Sequence, residues 1–465
     1  MTPLLLTGAT VVTVDRDRRV LHDGAVLVDG DRIADVGATG ELVDRHGSVE
    51  VLDCSGRVII PGLVNTHTHL FQTLLKGLGD DMVLKDWFTC MTGPSAVELT
   101  AEDAYAAARH GSAEALLSGT TTIVDFMYVH PRPELTDAVI RGLQETGIRA
   151  LVGRGYVTAG TESGVPAPLI ENVDDALADA QRLVGAHNRP GARVQVGLAP
   201  AMIWTVDEET LRRTRELADG VHAPVMMHVS ETDYEIEYSR QHYGVDDVEA
   251  LERFGVLGPD LLAVHCVQCS PRDVAILAAH GVAVSHNPCS NLYLASGFAP
   301  VPEMLEAGIA VGLASDGPAS NNNHNLIQAM KFAALMHKGY RRDATVMTAE
   351  QVVEMATLQG ARAIGRDGDL GSIEVGKKAD LVVLRMDNFC VTPMHNPVSA
   401  LVYSAIGNEA ETVLVDGRVV VSAGRLATVD EDEIRDESTR SARGLTQRAG
   451  TGNLADRTWT TARRT

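Results

Sequence analysis

Between residues 61 and 369 the chain repeats one pattern: a short apolar run rich in β-branched residues, followed by a longer amphipathic stretch with helical spacing. The first run is Pro61-Gly62-Leu63-Val64-Asn65-Thr66-His67-Thr68-His69, and the others cover 120–125, 150–152, 194–198, 225–228, 262–265, 282–285 and 309–313. Strands that alternate with helices pair in parallel, because each helix carries the chain back to the edge where the next strand begins. Eight such units favour closure over an open sheet. The pattern therefore predicts an α/β fold in which residues 61–369 form a (β/α)8 barrel of the TIM type.

The two ends read differently. Residues 4–14, 25–28, 32–36, 49–53 and 58–60 are short strand-like runs, with Asp-Gly pairs at 23–24 and 29–30. Asp-Gly between apolar runs is a strong hairpin signal. Residues 379–384 and 412–421 have the same texture. Neither end holds enough strand for a comfortable sheet of its own. Residues 1–60 and 370–432 are therefore expected to pair as one small β-sandwich domain, with the barrel inserted between them. Residues 433–465 are polar and charged and read as a helix followed by a poorly ordered tail.

A length of 465 residues with 45% apolar content accommodates one large core and a smaller one. The formal net charge of -22, without clustered Lys and Arg, argues against a nucleic-acid partner. No stretch approaches the roughly 20 apolar residues of a membrane helix. Six scattered cysteines suit a reducing cytoplasm better than a disulfide framework.

Side chains two apart on a strand face the same way, so His67 and His69 can reach one point. His228, His265 and Asp316 end later apolar runs. The C-terminal ends of barrel strands are where such folds carry their active sites. Three imidazoles and a carboxylate leave a coordination position open. His67, His69, His228 and Asp316 are accordingly predicted to hold one divalent metal, zinc first, with iron or manganese as alternatives. A metal of this kind lowers the pKa of a bound water from about 15.7 towards 7. Asp316 can accept that water's proton, and His265 can hydrogen-bond the water and polarise developing charge. Glu231, three residues beyond His228, is placed to carry a proton to a ring nitrogen and then to a leaving group.

The run 61–69 and four further motifs resemble the mononuclear deaminase branch of the amidohydrolase superfamily. The motifs are His228-Val229-Ser230-Glu231, Ala263-Val264-His265-Cys266, Ser285-His286-Asn287-Pro288 with Ser290-Asn291, and Ser315-Asp316-Gly317-Pro318-Ala319-Ser320-Asn321-Asn322. That branch holds adenosylhomocysteine, methylthioadenosine, guanine and 8-oxoguanine deaminases and the triazine hydrolases. The resemblance covers nearly the whole chain. It implies a deaminase that releases ammonia from a small aminated N-heteroaromatic ring of the purine, pterin or triazine class. Its alternatives are dechlorination or alkylamine release on s-triazines, and a nucleoside deaminase of the adenosylhomocysteine or methylthioadenosine type. It also implies a homo-oligomer, a pocket arginine at Arg154, and walls including Gln72, Trp87, Asn291 and Ser320. Two-metal relatives carry a carboxylated Lys on the fourth strand, whereas 194–200 has none, so one metal is expected. Cys266-Val267-Gln268-Cys269 reads as structural. Where adenosylhomocysteine-type deaminases carry a nucleoside-contacting His and acid, this chain has Ala201 and, by the simplest alignment, Ala96; rings without the ribose are expected to be preferred.

Overall fold

The computed structural model describes residues 2–456. The end of the expected tail, 457–465, lies outside the described residues. In chain order the strands are β1 (Leu4–Val12), β2 (Val20–Asp29), β3 (Arg32–Ala38), β4 (Glu50–Asp53) and β5 (Val58–Pro61). They continue with β6 (Leu63–Thr68), β7 (Thr120–Met127), β8 (Arg149–Tyr156), β9 (Val194–Pro200), β10 (Val225–Val229), β11 (Leu261–His265), β12 (Ala283–His286) and β13 (Val311–Leu313). The last are β14 (Leu381–Leu384), β15 (Ala410–Val415), β16 (Arg418–Ser422) and β17 (Arg425–Leu426).

β6 to β13 lie side by side in chain order, every neighbouring pair parallel, as the alternation predicts. The intervening helices begin and end on local signals. Asp207 accepts from Thr210 N at 2.8 Å to cap Glu208–Val221, and Gly147 at φ 84 ends Leu135–Thr146 in the left-handed conformation glycine tolerates. The barrel seam is nearly closed: Thr66 Oγ1 donates to Leu313 O at 3.1 Å and Asp316 N donates to His67 O at 3.1 Å. This seam sets Asp316 beside His67 in β6 and His69 just after it.

The chain ends build a nine-stranded sheet in the order β17-β16-β15-β14-β5-β1-β2-β3, with β4 beside β1. The two termini meet where β5 pairs antiparallel with β14, Val58 opposite Leu384 and Pro61 opposite Leu381. The sheet curls on itself, so that Ala379 N donates to Asp31 O and Gly417 N to Ala379 O, each at 2.9 Å. Its interior is aliphatic, with Leu6, Val26, Ile33, Ile59, Leu381 and Leu414 among the buried residues. From β5 the chain runs straight into β6 through Gly62, where a Cβ would fall 2.0 Å from Thr121 Oγ1. Arg149 at the start of β8 ties the two units together. It donates to both carboxylate oxygens of Asp380, at 2.9 and 3.0 Å, and to Asp416. The helix Glu431–Ala449 returns to the barrel, where Arg109 pairs with Glu437 at 2.7 Å. All six cysteines are free thiols, and no helix of the described residues is long and apolar enough to cross a membrane.

Candidate active site

His67 lies within β6 and His69 one residue beyond it. His69 Nδ1 donates to Phe126 O at 2.7 Å, and His228 Nδ1, in β10, donates to Ala201 O at 2.8 Å. A carbonyl oxygen can only accept, so in each ring Nδ1 carries the proton and Nε2 presents a lone pair. Those two Nε2 atoms face each other 3.3 Å apart. Among the described residues neither ring nitrogen of the fully buried His67 has a hydrogen-bond partner. Asp316 Oδ1 stands 3.3 Å from His67 Nε2 and 3.5 Å from His69 Nε2. Opposed lone pairs and orphaned buried nitrogens beside a carboxylate are costly without a cation and complete with one. The donor atoms of His67, His69 and His228, and those of His67, His265 and Asp316, each lie within 4.8 Å of one another. This set fits a single divalent metal of the zinc type. Burial holds His67 down to about 4 and His69 to about 3, which keeps both rings neutral as ligands must be.

His265 ends β11, and its Nδ1 donates to Asn291 Oδ1 at 2.9 Å, which turns Nε2 towards Glu231 Oε2, 3.6 Å away. Burial pushes the Glu231 carboxyl above its ordinary range, against the pull of His265. Ser296 Oγ donates to Glu231 Oε1 at 3.3 Å. The loop is held from behind by a second buried carboxylate, Glu235, whose Oε2 accepts from Glu231 N and Thr232 N at 2.5 and 2.8 Å. Ser230, His265, Cys266 and Asp316 have φ of 49, 73, 50 and 61°, a left-handed backbone that costs non-glycine residues about 1–3 kcal/mol each. Surrounding contacts hold that strain; Asp247 Oδ2, for example, accepts from Ser230 N at 2.6 Å.

A cavity of about 330 Å³ opens over this cluster. His69, His228, His265, Asp316 and Glu231 line it, together with Trp87, Phe88, Tyr128, Met202, Trp204 and Tyr234. Trp87 and Ser320 also line the cavity. Trp87 Nε1 donates to Ala319 O at 2.9 Å, and Ser320 Oγ to Asp316 Oδ2 at 3.1 Å.

Three expected wall residues are elsewhere. Arg154 does not line the cavity; it is buried in an ion-pair network, with Nη2 2.6 Å from Glu171 Oε1 and Nε 2.8 Å from Asp179 Oδ2. Alternation along β8 decides this, since successive side chains leave a strand on opposite faces and Asp179 waits on the helix Val173–His187. Gln72 packs behind Gly317, where a Cβ would fall 1.9 Å from its Oε1, and Asn291 sits behind His265. Ala201 lines the cavity, whereas Ala96 is buried away from it. Phe88, Met202, Trp204 and Tyr234 carried no sequence signal, because they lie outside the barrel strands in segments without strand alternation.

The reassignment of Arg154 gives a test. Arg154→Leu leaves two partly buried carboxylates without their cation, at a cost below the about 3–5 kcal/mol of breaking a fully buried pair. The urea midpoint should fall accordingly while the folded fraction keeps its metal. An unchanged midpoint would place Arg154 outside the structural framework.

Comparison with known proteins adds the following. Residues 58–420 match the amidohydrolase family. The 5'-deoxyadenosine deaminase of Methanothermobacter thermautotrophicus is 39% identical over 445 residues, 95% of this chain and 99% of that protein. An adenosine deaminase from Xanthomonas campestris, solved with bound zinc, superposes with a TM-score of 0.90 at 30% identity, covering 96% of this chain and 98% of that one. The atrazine chlorohydrolase of Arthrobacter aurescens TC1, solved with zinc, gives a TM-score of 0.85 at 27% identity, covering 94% and 100%.

Proposed function

The chain belongs to the amidohydrolase family, and from that premise we propose that it is a metal-dependent aminohydrolase releasing ammonia from an aminated N-heteroaromatic ring. One observation carries this reading. Inward-facing imidazole nitrogens and a carboxylate converge at the floor of a cavity that also holds a buried glutamate 3.6 Å from a histidine. His67, His69, His228 and Asp316 hold the metal, zinc by the donor set and by the likeness to zinc-bound structures. When bound, the metal supplies Lewis acidity and a water acidic enough to attack at neutral pH.

The chain's own groups do the rest. Gly317 N donates to Asp316 Oδ1 and Ser320 Oγ to Oδ2, so that carboxylate is oriented to take the proton of the attacking water. Glu231 delivers a proton to the ring nitrogen next to the reacting carbon, which cancels charge as that carbon becomes tetrahedral and the ring loses its aromaticity. It then serves the departing amino group. His265, with its tautomer set by Asn291, offers Nε2 towards the same space. The aromatic side chains of Trp87, Phe88 and Trp204 suit a planar ring.

The test is a panel of aminated purines, nucleosides, pterins and triazines given to metal-loaded protein, with ammonia release as the readout and chloride release followed for chlorinated triazines. Silence on every aminated ring would end the reading. Asn291 should behave as a positioning residue. Asn291→Leu removes the acceptor behind His265 and is expected to lower kcat by about 10–100-fold, the usual loss for an outer partner of a site histidine, with little change in KM. Asn291→Asp retains an acceptor and should recover most of the loss. Equal damage in both variants would mean that packing, not the hydrogen bond, is what matters there.

A further inference from the structure

Behind the loop that carries Glu231 lie two buried carboxyl groups without a cation, and we propose that Glu235 is a positioning residue for Glu231 that works as a neutral carboxylic acid. The inference rests on reading Glu231 as the proton carrier and goes beyond it by naming what holds that group and in which charge state.

Thr232 caps the helix Asp233–Tyr243 and Glu235 is the third residue of that helix, so the two form a capping box. Such a glutamate ordinarily takes the N–H of the capping residue alone. Here Glu235 Oε2 accepts from Thr232 N at 2.8 Å and also from Glu231 N, one residue upstream, at 2.5 Å. Capping needs the first bond, whereas the second grips the backbone of the proton carrier itself. Asp247, the first residue of the helix Asp247–Phe254, takes the amide before it: Oδ2 accepts from Ser230 N at 2.6 Å and from Ser230 Oγ at 3.1 Å. The successive N–H groups of Ser230, Glu231 and Thr232 thus end on two side chains, across a loop bent to φ 49 at Ser230.

Both carboxyl groups are 1% exposed. The ionisable groups facing Glu235 are Glu231 and Asp247, and those facing Asp247 are Asp246 and Asp273, all of them acidic. Two adjacent carboxylates with no cation are not sustained in a low-dielectric interior, so one proton stays. Asp247 collects both donors of Ser230, and burial pushes it up to about 6. Glu235 is pushed well above the ordinary carboxyl range, by burial first and then by Glu231 and Asp247. The proton therefore belongs to Glu235, on Oε1, because Oε2 already takes two N–H groups. Among the described residues Oε1 accepts no hydrogen bond. This charge state serves the chemistry. An ionised Glu235 would oppose ionisation of Glu231 at the step where Glu231 gives its proton away; a neutral one clamps the loop without that field.

Two variants of the metal-loaded protein test this. Glu235→Gln keeps the shape, an accepting oxygen and the absence of charge, and Glu235→Ala removes the clamp. On the compound of the aminated panel that is turned over fastest, the Gln variant is expected to keep kcat within about threefold of wild type. The Ala variant should lose about 100-fold, the cost of a misplaced reacting group, with KM moved by less than about threefold. Infrared spectroscopy and thermal unfolding report the charge state without any substrate. The difference between the wild-type and Gln spectra at neutral pH should contain the carbonyl stretch of a protonated carboxyl. A carboxyl whose folded pKa lies above its unfolded value costs stability as pH rises past the unfolded value, so the thermal midpoint of the Gln variant should gain on wild type between about pH 5 and 8. Equal loss of kcat in the Gln and Ala variants, an Ala variant as active as wild type, a difference spectrum without the carbonyl band, or a thermal difference that is flat with pH each overturns the proposal. If no aminated ring of any class releases ammonia, the aminohydrolase reading falls by that result, while the infrared band and the thermal difference decide the charge state of Glu235 by themselves.

Discussion

Replacing His67 with alanine is expected to strip the protein of most of its metal and of all measurable ammonia release together. His67 belongs to both groups of donor atoms that can hold an ion. Its ring centroid lies 4.6 Å from that of His69 and 5.1 Å from that of His228, so it occupies the middle of the cluster. Among the described residues its buried nitrogens make no hydrogen bond, and metal coordination would repay their burial. Elemental analysis of protein prepared with excess zinc checks this, with circular dichroism to confirm the fold. Metal retained near one equivalent by His67→Ala would remove it from the ligand set. Two equivalents in active wild-type protein would sink the single-metal assignment, which rests on β9 reading Val-Gln-Val-Gly-Leu-Ala-Pro with no lysine to bridge a second ion.

Glu231→Gln should separate binding from chemistry. The substitution keeps the size of the side chain and an oxygen to receive Ser296 Oγ, and Glu235 accepts its hydrogen bonds from the backbone of the loop rather than from the side chain being changed. The residues proposed to hold the metal are untouched. Metal content should therefore stay near wild type while kcat falls about 100- to 10,000-fold, the usual range for loss of a general acid or base. A variant that keeps half its activity would show that the proton travels by another route, and His265, 3.6 Å away, would be the first group to examine.

Much of this molecule was legible before any coordinates. The barrel followed from the alternation of apolar runs with helical spacing, because hydrophobic period is a local property that survives without knowledge of contacts. The joining of the two ends followed from a shortage of strand at each, and β5 does pair with β14. His67, His69, His228, His265 and Asp316 could be singled out because polar residues that terminate otherwise apolar strands must emerge together at one end of a parallel barrel.

What the sequence could not settle is where a side chain near a strand end or in a loop is drawn by partners far away in the chain. Arg154 is claimed by Glu171 and Asp179, and Asn291 by His265 across 26 positions. The left-handed backbone at His265 and Asp316 has no signature in residue type, since only the contacts around it make it tolerable. The cavity wall is assembled from segments as separate as those of Phe88, Val165, Trp204 and Leu294, none of which lies on a barrel strand. Periodicity is written one residue after another, whereas a pocket is made where distant segments happen to converge, and for this chain that difference separates the reaction class, legible in its sequence, from the shape of the cavity, which only the tertiary structure decides.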